Sequence, residues 1–378
     1  MILLPDRFDD IRPYYDSEIP SAMERIASDP LLARTLEYLG RGNELEAFKD
    51  CLRKITDTDQ LQKQIMYPIV RQVIGMTIDE YTYDGVGNVD CSQGHLFVSN
   101  HRDIAMDALL QQLALVDNGI PTSHVTFGSN LMQPQFIVDL GLCNKMFKTV
   151  RKSNDFESFM ESSIHLSDYI NYVTGQGESV WIAQRNGRTK DGFDMTEPGL
   201  IRMLLLGRKD RKAVESLGII PVSVSYQWEP CDILKAVELL KSKDGKEEYV
   251  KAPGEDVNSI VTGLISPKGK VHVSIGKPID CSCLNEKIGR SDIAAITRMI
   301  DDGIYSGYRL WDTNYAAYDI LHGTTAFTDK YSDDLKESLI RHIEDGIKSY
   351  PDLDPAALRT LLLQIYSGPV TQSLTTTR

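Results

Sequence analysis

Apolar side chains over the first 88 residues recur at the spacing of a helix. Branched aliphatic residues repeat at intervals of three and four between Leu31 and Leu39, and again between Leu61 and Ile74. The Asp-Pro pair at residues 29–30 suits a helix start, because proline is tolerated in the first helical turn. The pattern predicts a mostly helical region over residues 1–88, and no motif for chemistry stands out in it.

From residue 89 to residue 288 the pattern changes to short β-rich runs separated by helical stretches. Helical spacing occupies Ser158–Thr174 and Gly199–Gly207. Alternating strands and helices predict an α/β domain with a mixed, largely parallel central sheet flanked by helices. The predicted strands are His95–Ser99, His124–Phe127, Phe147–Arg151, Ser179–Gln184, Ile219–Ser225, Val261–Ile265 and Val271–Ile275.

Helical spacing returns over residues 289–378, which form the third predicted region. Isoleucines repeat between Ile293 and Ile304, a second stripe runs from Leu335 to Ile347, and Asp354-Pro355 predicts the start of a last helix. The polar tail Thr371–Arg378 is expected to be disordered.

Composition restricts the classes of partner. The chain has 378 residues and a formal net charge of −13, so phosphate surfaces repel it in general and we expect no nucleic-acid binding. Any bound anion must therefore be held by a local cluster of cations. The six cysteines show neither a Cys-x-x-Cys pair nor a histidine at zinc spacing, which predicts reduced thiols and no metal site. With no signal peptide and no membrane span in the sequence, we expect a cytoplasmic protein.

The stretch from Leu96 to Asp107 has the features of a catalytic loop. An apolar strand ends at Asn100-His101, a turn with two carboxylates follows, and helical spacing then begins. A histidine at a strand end, with Asp103 and Asp107 two and six residues later, has the rigid mount and the carboxylate partner that a general base needs. The alternative is that Asp103 caps the helix beside a histidine of purely structural role.

A second candidate loop follows the predicted strand Ser179–Gln184. It supplies Arg185, Arg188 and Lys190 within six residues. Three cations so close together repel one another, and arginine forks suit phosphate oxygens, so the loop predicts an anion site. The alternative is a solvated basic loop. In open α/β sheets the functional groups collect at the carboxyl ends of strands, which favours function for both loops.

Four blocks of sequence, in order, resemble the motifs of the glycerophospholipid acyltransferases. This superfamily includes glycerol-3-phosphate and 1-acylglycerol-3-phosphate acyltransferases, and the flanking helical regions look like those of its soluble bacterial branch. The blocks are Ser99–Asp103 with Asp107, Phe147–Arg151, Asn186–Arg188 and Ile220–Val222.

The resemblance implies an acyl transfer in which His101 deprotonates the acceptor hydroxyl. That hydroxyl then attacks the thioester of acyl-CoA or of an acyl carrier protein. Asp107 or Asp103 would orient the imidazole, and the acceptor would be a glycerophosphate or a lysolipid. The resemblance implies no metal or redox cofactor, and it is compatible with peripheral contact at the inner face of a membrane. The residues expected to bind the acceptor are Arg151, Arg185, Asn186, Gly187, Arg188 and Lys190.

Two departures from the family pattern keep alternatives open. The family places its aspartate where this chain has Met106, so Asp107 lies one residue late; we favour it over Asp103, which can cap the helix. The family usually has a glutamate before the glycine of the third block, whereas this chain has Asn186. The alternatives are therefore transfer to another lipid acceptor, such as a lyso-aminolipid, or a relative that binds acyl chains without catalysis.

Overall fold

The computed structural model describes residues 2–149, 156–242 and 249–376. At its centre lies a sheet of seven strands in the order β1-β7-β6-β2-β5-β3-β4. All neighbouring strands are parallel except β6 and β7, which are antiparallel. The mixed, largely parallel α/β fold predicted from the sequence is confirmed. The strands are Glu80–Asp84 (β1), Leu96–Ser99 (β2), His124–Gly128 (β3), Met146–Thr149 (β4), Val180–Ala183 (β5), Ile219–Tyr226 (β6) and Lys270–Ile275 (β7).

Helices precede, connect and follow these strands. A one-turn helix, α4, continues through a π-helical segment at Leu61–Met66 into α5. The helices are Ile19–Ser28 (α1), Pro30–Tyr38 (α2), Leu45–Leu52 (α3), Thr58–Gln60 (α4), Tyr67–Thr77 (α5), Met106–Asp117 (α6), Gln135–Cys143 (α7), Phe156–Gly175 (α8), Pro198–Leu204 (α9), Arg211–Leu217 (α10), Asp232–Lys241 (α11), Glu255–Ile265 (α12), Arg290–Ser306 (α13), Asp312–His322 (α14), Asp333–Lys348 (α15) and Pro355–Thr376 (α16).

The sheet separates two apolar layers. Successive side chains of a strand point to opposite faces, so Leu96 and Val98 of β2 pack with α8, α9, α10 and α13. Phe97, between them in the chain, packs on the other face with α5 and α6. Burial on both faces explains why β2 reads as a continuous apolar run rather than an alternating one.

The predicted strand Val261–Ile265 is wrong, because these residues form the end of helix α12. A short apolar run fits either structure, and here the buried face of the helix consists of the small residues Ser259 and Gly263. Val261 and Ile265 are 46% and 40% exposed. The apolar side chains that suggested a strand thus lie on the outer side of a helix.

Two further segments differ from their predictions. Strand β1 lies within the region predicted to be mostly helical; it is an edge strand that pairs only with β7 among the described strands, and its Glu-Tyr-Thr-Tyr-Asp sequence carries no apolar core signal. The tail expected to be disordered from Thr371 is instead helical as far as Thr376. Val370 and Gln372 are buried there, so tertiary packing orders the tail.

The arrangement of strands brings three loops together. Strands β6, β2 and β5 are adjacent and parallel, so their carboxyl ends meet at one edge of the sheet.

The predicted strand Phe147–Arg151 overlaps β4, and its last two residues lie outside the described residues. No helix in the described parts of the chain is long and apolar enough to span a bilayer.

Candidate active site

Asn100 anchors the end of β2 to the neighbouring strand β6. Its side-chain oxygen accepts a hydrogen bond from Val224 N at 2.8 Å, and its amide nitrogen donates to Val224 O at 3.1 Å. The buried amide thereby continues the ladder of the sheet by one residue. His101, which comes next, leaves the sheet from a fixed point at its carboxyl edge.

The imidazole of His101 contacts Asp107 in the first turn of α6. His101 Nδ1 lies 3.0 Å from Asp107 Oδ2. The same oxygen accepts the backbone N–H groups of Arg102 at 2.7 Å and Asp103 at 2.8 Å, while Oδ1 accepts the hydroxyl of Tyr226 at 2.8 Å. Because an ionised carboxylate only accepts, this geometry places the proton of neutral His101 on Nδ1.

The other ring nitrogen of His101 is left available. No hydrogen bond reaches Nε2 from the described residues. The indole of Trp181 lies edge-on to the imidazole, with the ring centroids 6.1 Å apart, and further restricts the ring. An imidazole with Nδ1 protonated and bonded to a carboxylate, and with a free lone pair on Nε2, is in the tautomer that a general base requires.

Asp103 has a different set of contacts. Its Oδ1 accepts the backbone N–H groups of Ala105 at 2.9 Å and Met106 at 2.8 Å, so it caps the start of α6. Residues 102–105 curl around the Asp107 carboxylate, and this turn accommodates the extra residue between His101 and Asp107. Of the two carboxylates considered from the sequence, Asp107 is the one bonded to the imidazole.

The loop after β5 is attached directly to the His101 loop. Thr189 N donates to His101 O at 2.7 Å. The preceding residue, Arg188, is 5% exposed; its Nη2 donates to Ser259 Oγ of α12 at 3.3 Å, whereas Nη1 is buried without a hydrogen bond. No carboxylate of the described residues forms an ion pair with Arg188. A buried guanidinium with an unused donor is suited to an anionic ligand.

The remaining predicted cations do not all share this environment. Lys190 forms an ion pair with Glu238 of α11, with Nζ 2.5 Å from Oε1, and is therefore already neutralised. Arg185 is half-buried, and its Nε has no hydrogen bond. Arg151 lies outside the described residues.

The other two predicted binding residues belong to the turn itself. Asn186 is exposed, and Gly187 has φ +75°, a left-handed conformation that favours glycine. The left-handed backbone conformation therefore explains why residue 187 is a glycine, and it lets the chain turn tightly between Arg185 and Arg188.

Helix α12 covers the site with its small residues. Ser259 of this helix accepts two hydrogen bonds. Arg188 donates to its Oγ, and the Cys231 thiol donates to its backbone oxygen at 3.2 Å. Gly263 lies so close to Asp103 that a Cβ there would be 2.1 Å from Asp103 Oδ2. Lys268, just beyond the helix, is buried, and burial lowers its pKa to about 8 against the opposing effect of Asp103. The site is thus enclosed, and His101 itself is 5% exposed.

Sequence reasoning missed a buried ion pair beneath the two loops. Arg102 Nη2 lies 2.8 Å from Asp194 Oδ2. Burial opposes both charges, yet Asp194 and Glu229 hold the pKa of Arg102 well above its usual range, and Arg102 lowers the pKa of Asp194. Asp194 lies in an irregular loop 92 residues from its partner, and no local pattern marks it. Tyr226 was detectable in principle, because it directly follows the predicted strand Ile219–Ser225.

Comparisons with known proteins leave the family open. No protein-family model matches the sequence, and no curated protein matches it. Among solved structures the chain is similar to the 1-acyl-sn-glycerophosphate (LPA) acyltransferase PlsC from Thermotoga maritima, at 13% identity and a TM-score of 0.38. That match covers 72% of this chain and 94% of the other. A likeness of this size adds no information on chemistry, which has to come from the geometry of the site.

Proposed function

We propose that this chain is an O-acyltransferase. It moves a fatty acyl group from acyl-CoA or an acyl carrier protein to the hydroxyl of glycerol 3-phosphate or 1-acylglycerol 3-phosphate. The observation that carries the proposal is the pairing of two loops: one holds the His101–Asp107 couple and the other holds the buried, unpaired Arg188. The hydrogen bond from Thr189 N to His101 O joins them.

The proton path follows from the tautomer of His101. Nε2 accepts the proton of the acceptor hydroxyl as its oxygen attacks the thioester carbonyl carbon. The imidazolium that forms is stabilised by Asp107, whose carboxylate stays in place through the backbone bonds of the turn and through Tyr226. When the tetrahedral intermediate collapses, the carbon–sulfur bond breaks and the imidazolium returns the proton to the leaving thiolate.

Arg188 brings the acceptor into range of this base. Its buried guanidinium offers Nη1 to a phosphate oxygen, and the enclosed surroundings strengthen that interaction relative to water. Binding the phosphate fixes the distance between the acceptor hydroxyl and Nε2. Positioning of this kind can lower a barrier by several kcal/mol.

A second acceptor class is favoured by the state of the other cations. Lys190 is neutralised by Glu238 and Arg151 lies outside the described residues, so the described residues hold a smaller positive cluster than the sequence predicts. A single buried arginine also suits an acceptor with one negative charge. The alternative product is therefore an acylated lipid other than a glycerophosphate, for example from a lyso-aminolipid hydroxyl.

An assay of the purified chain tests the proposal. Both thioester donors are offered with glycerol 3-phosphate, 1-acylglycerol 3-phosphate, a lyso-aminolipid and water alone, and the released thiol and the acylated product are quantified. We expect acceptor-dependent thiol release that His101→Ala abolishes while the circular dichroism spectrum stays unchanged. Full turnover in His101→Ala would remove the base from the mechanism. Acyl-chain binding without thioester cleavage would instead identify a non-catalytic protein, and free fatty acid formed without an acceptor would identify a thioesterase.

A further inference from the structure

The C-terminal helix α16 contacts the Arg188 loop through Gln372. This side chain is buried, and its Oε1 accepts the backbone N–H of Asp194 at 2.9 Å. Its Nε2 donates to the backbone oxygen of Asp194 and to the hydroxyl of Tyr305 at 2.9 Å. One amide therefore satisfies both backbone groups of a loop residue, as a neighbouring strand would.

Two glycines bring the helix and the loop close enough for this contact. A Cβ on Gly368 of α16 would lie 2.2 Å from Gly192 O, and a Cβ on Gly192 would lie 2.5 Å from Gln364 O. Gly192 also has φ +83°, which a side chain rarely adopts. The loop backbone thus lies directly against the helix, with no room for a side chain between them.

Asp194 links helix α16 to the candidate active site. Its carboxylate accepts hydrogen bonds from Asn100 Nδ2 at 3.0 Å, from Arg102 Nη2 at 2.8 Å and from Thr189 Oγ1 at 2.6 Å. Asn100 and Arg102 flank His101 in the chain, and Thr189 follows Arg188. The same carboxylate therefore holds both loops, the one with the base and the one with the anion-binding arginine.

We propose that Gln372 is a positioning residue for the acyl transfer, acting through Asp194 on the separation of Arg188 and His101. The inference rests on the proposed function of the same site, and it gives the C-terminal helix a role in turnover. Gln372 fixes the path of the loop backbone, while the Asp194 carboxylate keeps its own bonds to Arg102 and Tyr308. Loss of the Gln372 side chain therefore loosens the loop without breaking the buried ion pair between Arg102 and Asp194.

The kinetic test compares Gln372→Ala and the nearly isosteric Gln372→Met with the wild type. Both variants lose the bonds to Asp194, and we expect the KM for the phosphate acceptor to rise about tenfold, equivalent to about 1.4 kcal/mol. The KM for the thioester should change less than twofold, because the donor does not depend on Arg188. Thr360→Ala is the control, because the Thr360 hydroxyl donates to Ala356 O within α16 at an exposed site.

A second readout does not need activity. Hydrogen–deuterium exchange over residues 186–196, together with the calorimetric affinity for inorganic phosphate, is measured in the same proteins. We expect faster exchange in that segment and weaker phosphate binding in both Gln372 variants, with Thr360→Ala unchanged. If the wild type transfers no acyl group but these two changes occur, Gln372 still positions the Arg188 loop and the proposed function fails.

Three results overturn the positioning role. If both variants keep the hydrogen–deuterium exchange rates and the phosphate affinity of the wild type, Gln372 does not hold the loop. An effect in Gln372→Ala alone would assign it to packing rather than to hydrogen bonds. A uniform loss across both substrates, in proportion to a lowered Tm, would reduce Gln372 to a structural residue.

Discussion

Asp107 shows how much a single carboxylate organises at the scale of residues. One of its oxygens accepts two backbone N–H groups and the imidazole, and the other accepts Tyr226. Burial and the charge of Asp107 raise the pKa of Tyr226 well above its usual range, so this phenol remains a donor at any physiological pH. The carboxylate orients His101 and at the same time shapes the turn that carries it.

Substituting the two aspartates separates their roles. Asp107→Asn leaves an amide beside Nδ1 that can present its NH₂ to the ring and favour the wrong tautomer, so we expect kcat to fall by about 10²- to 10⁴-fold. Asp103→Asn keeps a good helix cap and should change kcat less than about threefold. Thiol release as a function of pH measures both. Equal losses in the two variants would contradict the assignment of Asp107 as the orienting group.

Arg188 lends itself to a substitution that keeps its volume. Arg188→Met retains much of the buried stem and removes the charge, and we expect the KM for a phosphate acceptor to rise about 10- to 100-fold, the loss of one charge-assisted contact of about 1.5–3 kcal/mol. A neutral lysolipid acceptor should keep its KM. Steady-state kinetics with both acceptors checks the difference, and an equal rise for both would mean that Arg188 does not hold the phosphate.

The residues that sequence reasoning found are those whose role depends on a strand end. His101 and Arg188 follow β2 and β5, and the rule that parallel strands present their carboxyl ends together places them side by side. Lys190, two residues after Arg188, looked equivalent in sequence. Its neutralising partner Glu238 lies 48 residues away on α11, and no local sequence pattern predicts that ion pair.

At the scale of elements, α12 covers the site with small buried residues, while its Leu264 is partly buried against the core. Its buried residues are Ser259 and Gly263, a four-residue spacing that makes one smooth face. The sequence could not reveal this helix, because a short apolar run is ambiguous and the buried positions are small and polar or glycine. The helical tail was missed for a related reason: its ordering depends on Gln372 and on contacts with α13 and the Arg188 loop.

The closeness of α12 to the turn between His101 and Asp107 predicts that any side chain at Gly263 destabilises the fold. In Gly263→Ala the new Cβ would overlap the carboxylate of Asp103, and we expect the free energy of unfolding to fall by about 1–3 kcal/mol. Gly75→Ala in α5 is the matched control, since nothing lies within 4 Å of its Cβ. It should be neutral or raise the free energy of unfolding by up to about 1 kcal/mol. Urea denaturation of both proteins checks the pair, and equal effects would contradict the close contact.

At the scale of the whole molecule, another histidine–aspartate pair connects the C-terminal helices to the α/β region. His342 Nε2 of α15 lies 2.6 Å from Asp232 Oδ2 at the start of α11, and Tyr366 of α16 donates to the same oxygen at 2.8 Å. Trp228 lies edge-on to the imidazole, with the ring centroids 5.4 Å apart. The hydrogen bond to Asp232 raises the pKa of His342 above its ordinary 6.5, although burial opposes the shift and Asp345 adds to it.

This pair predicts a dependence of stability on pH. A histidine whose pKa is raised by folding stabilises the folded state fully below pH 6.5, and that contribution disappears as the pH rises through the higher, folded-state pKa. We expect the Tm of the wild type to fall towards that of His342→Gln as the pH rises above 6.5. Thermal unfolding of both proteins across this range measures it. A Tm difference that stays constant with pH would contradict a charged pair.

The amino-acid composition predicted properties of the protein surface but not the arrangement of charges in the interior. A net charge of −13 predicts an acidic surface with little general affinity for phosphates, but two arginines of the candidate site are buried. Arg102 and Arg188 are 3% and 5% exposed, so their charges act within the protein rather than on its surface. The fold class followed from the alternation of strands and helices, whereas this interior charge arrangement depends on contacts far apart in the chain.

The burial of Arg188 under Ser259 has a kinetic consequence. If Arg188 binds the acceptor phosphate as proposed, its guanidinium, in a side chain that is 5% exposed, receives the phosphate only after the covering chain moves aside. Each turnover would then contain a unimolecular opening event before the bimolecular encounter is completed. The apparent dissociation constant is then the intrinsic one divided by the fraction of molecules that are open. Weak substrate affinity in this protein would measure the cost of opening as much as the fit of the ligand.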